Sequence, residues 1–136
     1  MPHTRQVVDT NVLVRFLTGD PPLMAEKARK LVDQADLGKT TLVILPVIVA
    51  EAFYTLESYY EIERKSVADR LAIFLQCRGI QCVEKDRILD ALKRCRDRNA
   101  HFADAYLAAA AIELKTPIAS FDRDFDKFPD VSRAEL

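Results

Sequence analysis

The sequence is poor in the residues that usually disclose a chemistry. Two histidines, His3 and His101, and three cysteines, Cys77, Cys82 and Cys95, are its only imidazole and thiol groups in 136 residues. The cysteines are odd in number and form no CxxC pair, so a zinc site would have to gather them with His101 from separate stretches. Reduced core or surface thiols are the simpler reading, and both histidines read as ordinary residues. Three glycines and six prolines exclude a low-complexity or disordered chain. Long apolar runs are missing too. The longest, Thr41 to Ala50, falls far short of the roughly 20 residues a membrane-spanning helix needs. Met1-Pro2-His3-Thr4-Arg5 leads straight into a strand pattern, without the apolar stretch of a signal peptide. The expectation is a cytoplasmic protein with no membrane contact. Excess charge of one sign is absent as well. A formal net charge of -1 excludes a bulk basic surface, so binding of nucleic acid would rest on local patches or on metal.

What is present is an ordinary globular composition, 49% hydrophobic and 30% charged, enough for one domain over residues 1–136. No repeat or polar linker divides it. Gln6-Val7-Val8-Asp9 reads as a short buried strand ending at an acid, followed by a helix from Asn11 to Leu17 and the turn Thr18-Gly19-Asp20-Pro21-Pro22. Met24, Ala28, Leu31, Val32 and Ala35 recur at helical spacing up to Gly38. Thr41 to Leu45 is apolar and β-branched on both faces, as a central parallel strand is, and Pro46 opens a helix that runs to about Tyr60. Val67, Leu71, Phe74 and Leu75 stripe another helix, and Ile80 to Val83 a short strand. Ile88, Leu89, Leu92 and Cys95 mark a further helix, and Ala103 to Leu114 an alanine-rich one. Pro117 to Ser120 is the last strand, with a turn at Phe121-Asp122. Alternating strands and helices predict a three-layer α/β/α sandwich around a central, short-stranded parallel sheet. Ligand sites in such folds lie beyond the carboxyl ends of the strands, where Asp9 and Asp122 fall.

Either of these acids has a plain structural role open to it, as a helix cap or a turn former. Glu51 and Asp104 are harder to account for. Glu51 sits on the stripe Ile48, Ala52, Thr55, Leu56, and Asp104 shares a face with Leu107, Ala108 and Ala111, so both are expected to point inward. A buried carboxylate is costly unless a cation or hydrogen bonds compensate it. If the four converge they also repel, by around 4 kcal/mol for a pair at about 4 Å and an effective dielectric near 20. Oxygen ligands alone favour Mg²⁺ or Mn²⁺ over zinc, and the natural chemistry is metal-assisted attack of water on a phosphodiester.

The stretch Val7-Val8-Asp9-Thr10-Asn11-Val12-Leu13-Val14-Arg15-Phe16-Leu17 resembles the opening of PIN domains, in particular the VapC-type toxins of bacterial and archaeal toxin–antitoxin pairs. Val49-Ala50-Glu51, Phe102-Ala103-Asp104-Ala105 and Ser120-Phe121-Asp122-Arg123-Asp124-Phe125 look like the other family blocks, in the family's order. The resemblance implies a Mg²⁺- or Mn²⁺-dependent endoribonuclease acting on single-stranded RNA, the toxin of a type II pair, with a cognate antitoxin as partner and a homodimer as its form. It implies that Asp9, Glu51, Asp104 and Asp122 are the catalytic, metal-binding acids, with Asp124 as the weaker alternative to Asp122 for the fourth metal ligand. Asn11 matches the polar residue that orients the first acid, and Ser120 the small hydroxyl beside the last strand. A stand-alone PIN nuclease of RNA processing and a non-catalytic RNA-binding PIN domain are the alternatives, the second marked by loss of acids that are all present here. Two other phosphate-handling classes fit worse. A haloacid-dehalogenase-type phosphatase wants a second Asp where Asn11 stands, and a response-regulator receiver wants adjacent acids near the first strand.

For RNA contact the sequence offers Arg15, after the first acid block, and the run Lys93, Arg94, Arg96, Arg98 before Asp104. Such a run is more often a solvated helix face, though its closeness to an acid block makes phosphate contact an expectation worth testing. Tyr54, Tyr59 and Tyr60 could stack on bases, with core or dimer packing the commoner role for them.

Overall fold

The computed structural model describes residues 3–136; Met1 and Pro2, at the start of the segment read above as lacking a leader, lie outside them. Three parallel strands, β1 (Thr4–Val7), β2 (Thr40–Ile44) and β3 (Ile80–Cys82), form a sheet in the order β1-β2-β3. Thr4 stands opposite Thr40 and Leu42 opposite Ile80. Two helices make each crossover, α1 (Thr10–Thr18) and α2 (Pro22–Asp36) first, then α3 (Pro46–Ser58) and α4 (Arg64–Leu75). After β3 come α5 (Lys85–Arg98) and α6 (Phe102–Leu114), β4 (Ile118–Ala119), a 3-10 turn (Arg123–Lys127) and β5 (Arg133–Ala134). This is the expected α/β/α arrangement around a short parallel sheet, and no helix among the described residues is long and apolar enough to cross a membrane.

The local causes are legible. Pro22 and Pro46 each open a helix, where a missing N–H costs nothing and the fixed φ fits. Gly19 ends α1 in the left-handed region, its N–H bonded to the Arg15 carbonyl. β2 buries Leu42, Val43 and Ile44 because it has a neighbour on both sides. Helix α3 buries Val49, Ala52, Phe53 and Leu56 at helical spacing, and the alanines of α6 allow α5 close approach. Burial pushes the Cys82 thiol up to about 11 and the Cys95 thiol up to about 12. Both therefore stay protonated and serve as small apolar residues. Cys77 is exposed, and among the described residues no three histidines, cysteines or acids gather as a metal site needs.

Two expectations fail here. β1 is not a buried strand, for it lies at the sheet edge with all four residues exposed, Val7 by 66%, and burial begins only at Val8. β4 does not extend the main sheet. It pairs in parallel with β5, a two-residue strand too short to show any alternation in the sequence.

Arg94, expected above as an RNA contact, is part of the scaffold. Its side chain, 11% exposed, sends two bonds to Asp130 (2.8 and 2.6 Å) and one to Asp90 (3.2 Å), and stacks over the Phe128 ring. This ties the C-terminal segment to α5. The Arg94 guanidinium holds the Asp130 carboxyl below its ordinary value of 3.8. A depressed folded value adds stability that is present above the unfolded value and lost as pH falls through the folded one. Arg94→Met should therefore flatten the acid limb of the stability profile as pH falls past the ordinary carboxylate value of 3.8 and below it, which urea midpoints would show. Parallel profiles in the two proteins would refute the pairing. Because Asp130 is half exposed, the loss at neutral pH stays below the roughly 3–5 kcal/mol of a fully buried pair.

Candidate active site

Because β1, β2 and β3 are parallel, their carboxyl ends open on one side, and Asp9 stands just past the end of β1. It is the N-cap of α1. Its Oδ1 accepts the Thr10 N–H at 2.8 Å, a role any short acid or amide fills well. Thr10 also donates its hydroxyl to Glu51 Oε2 at 2.7 Å. One threonine thus holds two carboxylates, one from each of the helices that follow β1 and β2. The remaining oxygen of each acid makes no hydrogen bond within the described residues, and both acids are exposed.

Glu51 was expected to point inward and does not. The buried stripe of α3 is Val49, Ala52, Phe53, Leu56 rather than the stripe read from Ile48, so Glu51 rotates out towards Thr10. Asp104, in the first turn of α6, is half-buried, because Leu107 on its own face is exposed while Ala108 and Ala111 are covered. It does not join the Asp9–Glu51 pair. The charges of Asp104, Glu57 and Arg64 all bear on the buried Cys95 thiol, and the Arg64 Nε bonds Glu57 at 2.6 Å. Asp122 occupies a third place, as cap of the 3-10 turn, its Oδ1 accepting the Asp124 N–H at 2.8 Å. Ser120 Oγ accepts the Asp122 N–H at 2.9 Å, and Asp124 is exposed. Among the described residues no three acids come within reach of one ion.

Asn11 is exposed and makes no side-chain hydrogen bond among the described residues. The orienting of Asp9 and Glu51 falls to Thr10, the middle residue of the same Asp-Thr-Asn block, whose role the sequence does not signal because its partner Glu51 lies on another helix. Arg15 is half-buried against Tyr60, whose hydroxyl accepts from it at 3.4 Å and donates to Asp20 at 3.1 Å. Its Nε is buried without a partner beside a groove of about 360 Å³ between α1 and α2. Arg96 is engaged by Asp97 and Asp69, while Arg98 has no ion pair among the described residues. Tyr54 and Tyr59 are exposed. The donor set is all oxygen, and Mg²⁺ typically takes one or two carboxylates together with water and phosphate oxygens. The Asp9–Glu51 pair fits such an ion. Asp104 and Asp122 stand outside it.

No curated protein matches the chain. It is similar to a crystal structure of VapBC2 from Rickettsia felis bound to a DNA fragment from its promoter, at 15% identity and a TM-score of 0.40, over 98% of each chain. The model of the PIN domain matches residues 7–131, a span that takes in all four acids. The chain belongs to the PIN-domain family.

Proposed function

We propose that this protein is a divalent-metal-dependent endoribonuclease that hydrolyses single-stranded RNA, acting as the toxin of a type II toxin–antitoxin pair. PIN domains are generally nucleases, and the observation that carries the reading here is the Asp9–Thr10–Glu51 arrangement. Two solvent-facing carboxylates, each with a free oxygen, stand at the carboxyl edge of a parallel sheet. Asp9 and Glu51 would hold Mg²⁺ or Mn²⁺, and Thr10 fixes the oxygen of each that faces away from it. The metal, when bound, lowers the pKa of water and neutralises charge that develops on the phosphate. Asp104 and Asp122 belong to the catalytic set on the strength of the sequence blocks they share with the family, and Asp124 is the weaker alternative to Asp122 that those blocks suggest. The toxin reading, with its antitoxin partner and homodimer, rests on the first block from Val7 to Leu17.

Purified protein should cut single-stranded RNA with Mg²⁺ or Mn²⁺ and stop on addition of a chelator, and its expression alone should arrest bacterial growth. Undiminished cleavage under chelation would sink the mechanism. Cleavage in the tube with normal growth and abundant soluble protein would replace the toxin by a nuclease of RNA processing.

A further inference from the structure

The turn between α5 and α6 gathers donors that no acid block points to. Asn99, in the left-handed region at φ 51, turns its carbonyl to two cations, accepting from Arg64 at 2.7 Å and from Lys127 Nζ at 3.4 Å. Arg64 also reaches the Nδ1 of His101 at 3.0 Å. A guanidinium only donates, so this Nδ1 must be the bare nitrogen, and the proton sits on Nε2. His101 is the N-cap residue of α6, with its side chain 67% exposed, and it lies one turn before Asp104 on the same helix face. Its solvent edge therefore offers an N–H and no acceptor. Arg64 is neutralised by Glu57, whereas Lys127 is exposed and has no carboxylate partner among the described residues. His101 and Lys127 thus present an N–H and an ammonium that has no ion-pair partner among the described residues. They do so beside the carboxylates of Asp104 and of Glu57, the latter 4.0 Å from the imidazole, and such a pair of donors suits an anion.

We propose that His101 and Lys127 form the grip on an RNA phosphate beside Asp104, with Arg64 as the positioning residue that holds the imidazole. The inference rests on the nuclease reading and deepens it, since it assigns strand binding to this turn rather than to the arginine run of α5, whose Arg94 and Arg96 are taken by acids.

Two measurements test it. The first is cleavage and binding of a fluorescein-labelled, mixed-sequence single-stranded RNA, with Mn²⁺ for kinetics and with chelator for binding across a salt series. Lys127→Gln should raise KM several-fold at unchanged kcat and make the salt slope shallower by about 0.7, one phosphate contact on a single strand. His101→Ala should raise KM, and His101→Gln, which restores an N–H, should recover most of it. Lys39→Gln, at the start of β2, should match wild type. The second is ¹⁵N spectroscopy of the two histidines. His3 bonds the Gly38 carbonyl through Nδ1 and so carries its proton there, opposite to His101, which makes the pair its own reference. Arg64→Lys should shift His101 towards mixed tautomers and leave His3 alone. Wild-type cleavage with unaltered KM and slope in the Lys127 and His101 variants would overturn the grip and leave the nuclease standing. Wild type that neither binds nor cuts RNA would overturn both. An Nδ1–H tautomer at His101 would overturn the positioning by Arg64.

Discussion

Asp9→Asn is expected to cut the rate of RNA hydrolysis at least a hundredfold while the protein melts within a degree or two of wild type. A hundredfold loss corresponds to about 2.7 kcal/mol of transition-state stabilisation. The two effects separate because Asp9 has two jobs on different atoms. As N-cap its Oδ1 accepts the Thr10 N–H, and Asn caps as well as Asp does. As the metal ligand proposed above it would supply negative charge, which Asn lacks. Glu51→Gln should behave alike, since the amide oxygen still accepts from the Thr10 hydroxyl. Asp9→Ala, by contrast, should lose activity and also about 1 kcal/mol of stability with the cap. Full activity in Asp9→Asn, measured on RNA with saturating Mn²⁺, would remove the acid from the mechanism. Loss of activity accompanied by unfolding would mean that its role is structural.

The largest stability effect should come from a glycine far from the acids. Gly79 precedes β3 with φ at 79°, and a Cβ there would lie 2.3 Å from the Ala35 carbonyl oxygen and 2.6 Å from its carbon. Those are backbone atoms at the end of α2, so relief requires the helix and the strand to part. Gly38 has nearly the same backbone angle, φ at 80°, yet nothing within 4 Å of its Cβ position. The pair isolates packing from backbone preference. Gly38→Ala should cost about 1–2 kcal/mol, the penalty of a left-handed alanine. Gly79→Ala adds an overlap of a kind that commonly brings the total above about 3 kcal/mol, a large share of the roughly 5–15 kcal/mol that hold a domain together. Thermal melts should show a drop at least twice as large for Gly79→Ala. Equal drops would mean that the α2–β3 approach is looser than described.

The elements were legible wherever a periodicity ran long enough. The apolar, β-branched run at Thr41 could only be a central strand, and Pro46 marked the next helix to the residue. The faces of helices were read less well. On α3 a shift of one position, from Ile48 to Val49, turned Glu51 from an inward acid into an exposed one, because in a helix one residue is a rotation of 100°. Glu51 therefore bears no burial cost, and it stands by Asp9 through the shared bond to Thr10. The run on α5 hides its pairing for a different cause. Two of its arginines, Arg94 and Arg96, have acid partners at Asp130 and Asp69, far off in sequence, while Arg98 has none among the described residues, and no local pattern announces a distant ion pair. The same holds for Thr10, whose use depends on a helix 41 positions further on.

The way the helices are shared out has a consequence for how the chain comes together. α4 reaches α5 across β3 and α1 packs on α3, while α1 also packs on α2, α3 on α4 and α5 on α6, each of these last pairs joined by a short turn. Contacts of that kind close small loops and form readily. The sheet is an exception, since Thr4 must find Thr40, 36 residues away, and β2 takes part in both of the long pairings. Every atom of the Asp9–Thr10–Glu51 arrangement lies on β1, α1, β2 and α3 or on the turns between them. The Asp9–Thr10–Glu51 arrangement is therefore written entirely into the chain that precedes α4, ahead of α6 and Asp104.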